Sequence, residues 1–508
     1  MHYLILSSVH DVPVSTTVLF GLLLFGLVTC LALEEKIHAK KSIIAGSFAL
    51  VALFLGTAFD ILPFERIVVG SRLLIQHGEF TATVESENDQ HVPVTLPSVD
   101  DASELQHAED EDELVHLHGH RIEMPVYVPG VDWAVIAILL GSSLFVDVTS
   151  KSGIFTWIAI LVTKMSRGDP LKLLYFYGVM TVVFSAVLNN VTAMIIVGSL
   201  TAVSLKKLER NDKLLSFLVI EGLLTNIGGL LTLISSVPNI IVGTSANIDF
   251  LTFFIKSGPY VAVATLITIA FGAWQFTIER IRDPEAQQIA AKKVSGFDEN
   301  DGIESVAFFR FSACMLIAFV ITIATTSVLP WISDLQMGFV AMSFAAVMLL
   351  RYRSEVDQFY KNLDWDLLGF FVALFVFIYV IEHALVLHAI GSAMTWLLDV
   401  GGASGGPTLL LLTSAVFSSV TDNIPLAAML AKVLGGMGIP SDSSLWWSVI
   451  FGANLGGNLT PIGSASTLVA VTLMHRYELP MSFFGFVKIA FPFAVLQLVL
   501  AAGYLMFV

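Results

Sequence analysis

Asn226-Ile227-Gly228-Gly229-Leu230-Leu231-Thr232-Leu233-Ile234-Ser235-Ser236 and Asn454-Leu455-Gly456-Gly457-Asn458-Leu459-Thr460-Pro461-Ile462-Gly463-Ser464 are two copies of one motif. The Asn, the Gly pair, a Leu, the Thr, the Ile and the last Ser share one register, 228 residues apart (454 − 226). Both copies interrupt long apolar segments. A Gly pair followed by small hydroxyl residues is a poor helix interior. At membrane depth, freed backbone is tolerated only inside protein or along a wet cavity. Paired interruptions in two halves of a chain are the sequence mark of a transporter's binding site. Gly228, Gly229, Gly456 and Gly457 are read as permitting unwinding and close backbone approach.

The rest of the chain fits a membrane setting. Mean hydropathy is +0.81; 56% of residues are hydrophobic and 13% charged, too apolar for a soluble domain. Cys30 and Cys314 both sit in apolar runs, so no disulfide framework or thiolate metal site is expected. The first apolar run has no basic lead and no clear cleavage site, and is read as a retained helix. The net charge of −16 comes largely from the acidic stretch Glu79–Glu113. That stretch ends in His116, His118 and His120, weak candidates for a divalent metal; a solvated insert that concentrates cations needs only the field.

Lysine and arginine set the expected topology. Lys36, Lys40 and Lys41, then Lys206, Lys207, Arg210 and Lys213, then Arg280, Arg282, Lys292 and Lys293, then Arg351, Arg353 and Lys361 are assigned to the cytoplasm. Both termini and the loop 63–130 are then external. Run 172–205 has basic loops on both sides, so it enters and returns on one side as a re-entrant hairpin with Ser185 and Asn189-Asn190-Val191-Thr192 at its tip. Run 407–434 mirrors it from outside, with Ser418, Ser419 and Thr421-Asp422-Asn423-Ile424-Pro425 at its tip. Interrupted helices at 213–244 and 445–473 follow. Asp132-Trp133 and Asp364-Trp365 open matching runs.

The expected fold is thus an all-α polytopic membrane protein of two inverted repeats, each with a re-entrant hairpin and a broken helix. Residues 1–62 are N-terminal transmembrane helices and 63–130 an external insert. The first repeat core spans 131–277, a cytoplasmic linker 278–306 and the second repeat 307–508.

Leu188-Asn189-Asn190-Val191-Thr192, Asn226 to Asn239, Thr421 to Pro425 and Gly452 to Thr467 resemble the ion transporter superfamily, in its branch of arsenite permeases, sodium/proton antiporters and melanosomal P-protein relatives. The resemblance covers nearly everything from about residue 131. It implies that hairpin tips and unwound helices form the ion and substrate sites, and that a transport domain moves against a scaffold in a homodimer. Two departures lie in the site. The first tip has Asn189 where this branch commonly has Asp, and Ser235-Ser236-Val237-Pro238-Asn239 replaces a stretch that in relatives often holds Gly and a Pro pair.

Asp422 is the sharpest single residue. A carboxylate in a membrane hairpin needs a cation, a proton or a partner, although capping the next half-helix is the plainer role. Asn189, Asn190, Thr192, Asn226, Thr232, Ser235, Asn423, Asn454, Thr460 and Ser464 offer neutral oxygens and amides for sodium or a hydroxylated solute; helix–helix hydrogen bonding is the alternative use of such groups. Glu221 is a second proton-relay candidate, or else faces cytoplasmic water. Asp147 with Lys151, and Glu382 with His383, suit interfacial pairing; Lys432 suits snorkelling outward.

The function expected is ion-coupled secondary transport, with sodium and/or proton as coupling ion and no bound cofactor. Cation/proton antiport leads, arsenite efflux is second, and sodium-coupled carboxylate or other anion transport, or an anion channel, follows. The retained Asp422 argues against a strongly anionic substrate. Walker, nucleophile-elbow and metalloprotease motifs are missing, so an enzyme is not expected; an ATPase subunit acting in trans is compatible with the sequence. The expected partners are the lipid bilayer and a small ion or solute, with no nucleic acid, and the expected location is a bacterial inner membrane. Restoring a carboxylate with Asn189→Asp is predicted to change ion dependence or pH profile in proteoliposome flux; an unaltered profile in both would remove Asn189 from the coupling site.

Overall fold

The computed structural model describes residues 12–62, 66–69, 81–84, 92–95, 120–123, 128–330 and 332–507. The chain opens with α1 (Val14–Ala32), the single turn α2 (Glu34–Ile37) and α3 (Lys41–Ala58). In the insert, β1 (Arg66–Val69) pairs antiparallel with β4 (His120–Glu123), and β2 (Thr81–Val84) with β3 (Val92–Thr95). His120 stands opposite Val69; His116 and His118 lie outside the described residues. Among the described residues no group of three metal-ligating side chains forms.

The first half continues as α4 (Trp133–Lys151), α5 (Ile154–Ser166), α6 (Pro170–Val187), α7 (Asn190–Lys207), α8 (Leu214–Gly229), α9 (Val237–Ser245) and α10 (Phe250–Gln275), with α11 (Pro284–Ser295) in the linker. The second half is α12 (Val306–Ala324), α13 (Ile332–Arg351), α14 (Val356–Asn362), α15 (Trp365–His383), α16 (Val386–Val420), α17 (Asn423–Gly436), α18 (Ser444–Gly456), α19 (Ala465–Arg476) and α20 (Phe483–Tyr504).

Local chemistry sets many of these starts. Asp132 and Asp364 cap α4 and α15 through their carboxylates. The Trp that follows each donates its ring N–H to a carbonyl five residues back, Trp133 to Val128 at 3.2 Å and Trp365 to Tyr360 at 2.9 Å. Asp169-Pro170 and Asp283-Pro284 start α6 and α11 with an Asp cap and a Pro whose missing N–H costs nothing in the first turn.

Among the described residues, eight helices are long and apolar enough to cross a membrane, or nine if the bent pair at 335–361 counts as one span. The interrupted helices are not among them. The 16 residues of α8 rise only about 24 Å, short of the ~30 Å hydrocarbon core. Helix breaks fall at Leu188–Asn189 and Thr421–Asp422 and after Gly229 and Gly456. Elements outside the expected apolar runs include α5, the arm of α16 before its kink at Gly402 (φ 63°), α14 and the linker helix α11. The 13 residues of α5 span about 20 Å, so a search for spanning runs passes over it. Each hairpin thus hangs from a short arm helix, and the arm α5 turns into α6 through Arg167 and Gly168, both with positive φ.

The halves interlock. α3 lies along α15, and α13 lies along α4, so each half's early helices cover the other half. The α13–α4 contact is tight at Gly141, where a Cβ would come within 2.5 Å of the Ala341–Met342 backbone. Basic residues gather at one end of the bundle. Lys164 pairs with Glu299, Lys293 with Glu209 at 2.8 Å, Lys207 stands 4.0 Å from the Phe297 ring, and Lys213 donates to the Thr277 carbonyl. The hydrogen bonds from Lys164 and Lys293 hold the Glu299 and Glu209 carboxyls below the usual range. These pins are therefore present above that range and weaken as pH falls through it. Glu382 and Lys432 pair at 3.3 Å on the second hairpin's own side.

Close helix contact carries the first prediction from the fold. A Cβ on Gly456 would meet the Ala415 carbonyl oxygen at 2.3 Å, whereas nothing lies within 4 Å of Gly435. Gly456→Ala is predicted to destabilise the protein by about 1–3 kcal/mol, read as a lowered melting temperature in detergent. Gly435→Ala should leave melting unchanged or raise it.

Candidate substrate and ion site

Both interrupted helices stop at the Gly pair and restart seven or eight residues on, α8 at Val237 as α9 and α18 at Ala465 as α19. Gly228 and Gly456 keep negative φ. Their use is close approach: a Cβ on Gly228 would meet Val182 Cα at 2.7 Å, and one on Gly456 would meet Ala415 Cα at 2.7 Å. The freed carbonyls are satisfied by side chains from the same break. Asn239 Nδ2 donates to Gly229 O (2.6 Å) and Thr232 O (3.1 Å), and Ser235 Oγ donates to the same two carbonyls. In the second break Thr467 Oγ1 donates towards Ser464 O (2.8 Å) and Pro461 O (3.2 Å). Such internal satisfaction is what backbone leaving a helix in a membrane requires.

The two motifs then bond to each other reciprocally. Asn226 Nδ2 donates to Ser464 Oγ at 2.8 Å, and Ser236 Oγ donates to Asn454 Oδ1 at 2.7 Å. These are equivalent contacts under the 228-residue register. The hairpins repeat the pattern: Ser185 Oγ donates to Thr225 O and Ser418 Oγ to Ala453 O, each at 2.6 Å. Thr232 Oγ1 donates to Ala186 O at 2.6 Å and Thr460 Oγ1 to Ser419 O at 2.5 Å. Thr232 and Thr460 therefore stitch hairpins to broken helices, and Asn454 joins one break to the other, the helix-bonding role.

A cavity of about 720 Å³ opens beside this core. Of the expected residues, Asn189, Asn190, Thr192, Asn226, Ser235, Asn423 and Ser464 line it. Four helix N-termini meet there. Asn189 caps α7, Ser236 precedes α9, Asp422 caps α17 and Ser464 caps α19, and first-turn residues of all four helices line the wall. Asn190 Nδ2 reaches Asn226 Oδ1 at 3.3 Å and joins the first tip to the core. Asp422 Oδ1 accepts from Ile424 N–H at 3.0 Å, so the capping role is present. Its Oδ2 meets Lys41 Nζ at 2.5 Å, so it also has an ionic partner. Glu221 is fully buried against α7, where Oε1 accepts from Thr201 Oγ1 at 2.6 Å; it faces no cytoplasmic water and is not part of the cavity wall. Asp147 lines the cavity, and Lys151 Nζ stands 4.4 Å from the Phe359 ring.

Sequence reasoning missed several members. Asn458 accepts from Asn226 Nδ2 at 2.8 Å and donates to Gln497 Oε1 at 2.8 Å; Gln497 in turn donates to Thr268 Oγ1 at 3.1 Å. The signals were available: Asn458 stands where the first motif has Leu230, and Gln497 is a lone amide in an apolar span. Lys41 was counted only as a loop charge, and nothing in its local sequence points to Asp422, 381 residues away.

Long apolar helices around two hairpins, two interrupted helices and one polar cavity define a membrane transporter. Residues 114–452 match the family described as CitMHS, citrate transporter, over more than half of the sequence, and the chain belongs to that family. An uncharacterized transporter of Mycobacterium tuberculosis is 30% identical over 389 residues, 74% of this chain and 86% of that protein. The human P protein is 23% identical over 465 residues, 76% of this chain and 55% of its own longer sequence. In fold, the chain is similar to the crystal structure of the Alcanivorax borkumensis YdaH transporter, with TM-score 0.51 and 14% identity over 92% of this chain and 98% of that one. The family and its structural neighbours are transporters, not enzymes.

The two uses of polar residues predict different phenotypes. Asn454→Ala removes the acceptor of the buried Ser236 hydroxyl and the donor to the Asn239 amide oxygen, so it should destabilise by about 1–3 kcal/mol, seen as a lower melting temperature. Thr192→Val on the cavity wall should leave melting unchanged and alter the apparent substrate affinity in uptake assays.

Proposed function

We propose that this protein is a cation-coupled secondary transporter whose substrate is a small carboxylate, bound in the cavity at the hairpin tips. The observation that carries this reading is the meeting of four helix N-termini at one wall. Helix N-termini present free N–H groups and partial positive charge, which favour carboxylates without any arginine. A volume of about 720 Å³ suits an organic solute and far exceeds what a bare ion needs. The family's description as citrate transporter points the same way. These facts outweigh the earlier argument from Asp422 against an anionic substrate, because Lys41 neutralises that carboxylate.

In this reading the coupling cation, sodium or proton, visits Asp422 and the neutral oxygens near it. The basic end of the bundle faces the cytoplasm by the positive-inside tendency. The cavity, whose wall includes Lys40 and Asp364 near that end, then opens inward. The termini and the insert lie outside, the two halves form an inverted repeat, and the protein works as a homodimer in a bacterial inner membrane.

Cation/proton antiport is the second reading, and Asp422 favours it. Proteoliposomes separate the two. Labelled citrate and smaller di- and tricarboxylates should enter in a cation-dependent manner, and Asp422→Asn should remove the cation dependence while the protein still folds. Cation-driven proton flux with no carboxylate uptake would instead establish antiport.

A further inference from the structure

We propose that Lys41 is a tethered cation that occupies the coupling-ion position at Asp422 and leaves when the ion binds. This rests on the reading that the coupling cation visits Asp422. Lys41 Nζ lies 2.5 Å from Asp422 Oδ2, with the two side chains 28% and 12% exposed. Asp422 keeps its other oxygen on the α17 N-terminus. One oxygen therefore fixes the tip, and the other receives whichever cation is present. An ammonium and a metal ion cannot share that oxygen at contact distance, so binding one excludes the other.

The surroundings give Lys41 somewhere to go. Glu34 Oε1 is 3.7 Å from Nζ on the side away from the tip. Asp366, the other nearby carboxylate, is engaged by the Ser42 hydroxyl. His38 and Lys40 line the same cavity, as do Glu34, Asp364 and Asp366. A turn of the lysine stem from Asp422 to Glu34 exchanges one carboxylate for another.

The pair also bridges two bodies. Lys41 opens α3, which lies along α15, whereas Asp422 belongs to the hairpin packed on α18. Holding Lys41 on Asp422 ties the tip to the α3–α15 pair, and a bound cation unties it. The first half has no such tie at the equivalent place: Asn189 caps α7 with its amide oxygen and carries no charge. Coupling is thereby confined to one hairpin.

A tethered competitor divides the free ion's affinity, raising its apparent dissociation constant by the reciprocal of the fraction of time the site stands open. Lys41→Gln should therefore lower the half-saturating cation concentration for uptake by about tenfold. In the wild-type protein, modification of Lys41 by an amine-reactive reagent, followed by mass spectrometry, should rise with sodium, lithium or potassium chloride. It should stay flat in choline chloride of equal ionic strength. An unchanged cation requirement in Lys41→Gln, or weaker carboxylate binding there, would overturn the proposal. So would Lys41 labelling indifferent to every metal cation, a test that stands even if the variant fails to fold. Cation dependence that survives in Asp422→Asn would defeat the underlying reading instead.

Discussion

The constraint on which the structure depends is the satisfaction of backbone polar groups where two helices stop inside the bundle. A bilayer offers no water to carbonyls freed at Gly229 and Gly457, and each one left bare costs several kcal/mol. Asn239, Ser235 and Thr467 meet those carbonyls from within each break. Asn226 and Asn454 then reach across to the other half's serines. Neither break is complete alone. Asn239 does both jobs: its amide nitrogen meets the freed carbonyls, and its oxygen accepts from Asn454 of the other half.

That arrangement explains how a binding cavity is built with few charges. Stopping a helix and starting another creates an N-terminus, and each hairpin tip creates one more. Four such ends face the cavity and add partial positive charge of backbone origin beside its carboxylates and lysines. The neutral amides and hydroxyls on the wall add hydrogen-bonding capacity at little desolvation cost. The one tip carboxylate, Asp422, is offset by Lys41 at 2.5 Å, in keeping with the rule that charge inside a membrane is paired or functional.

Close helix contact sets the mechanical frame. Gly228 and Gly456 let the broken helices lie against α6 and α16 so closely that a methyl would strike backbone. Each hairpin is thus packed tightly on its broken helix. α3 packs along α15 and α13 along α4, and Lys41–Asp422 is an ionic link from α3 to the second hairpin tip.

Much of this was legible in the sequence, because the membrane's demands are local and periodic. Apolar run length, basic flanks and the repeated Gly-Gly motif located the helix breaks and part of the cavity wall, including Asn189, Asn190, Asn226, Asn423 and Ser464. The short arms α5 and 386–401 were not visible, since 13 or so residues fall below the length that marks a span. Nor could the sequence divide its polar residues between wall and stitching: Thr192 and Thr460 look alike as residues, and only packing turns one towards the cavity and the other onto the Ser419 carbonyl. The pairing of Lys41 with Asp422 was decided by tertiary structure alone. A periodic pattern can say that a charge near a membrane needs a partner, but which partner it finds depends on how helices 381 residues apart come to lie side by side.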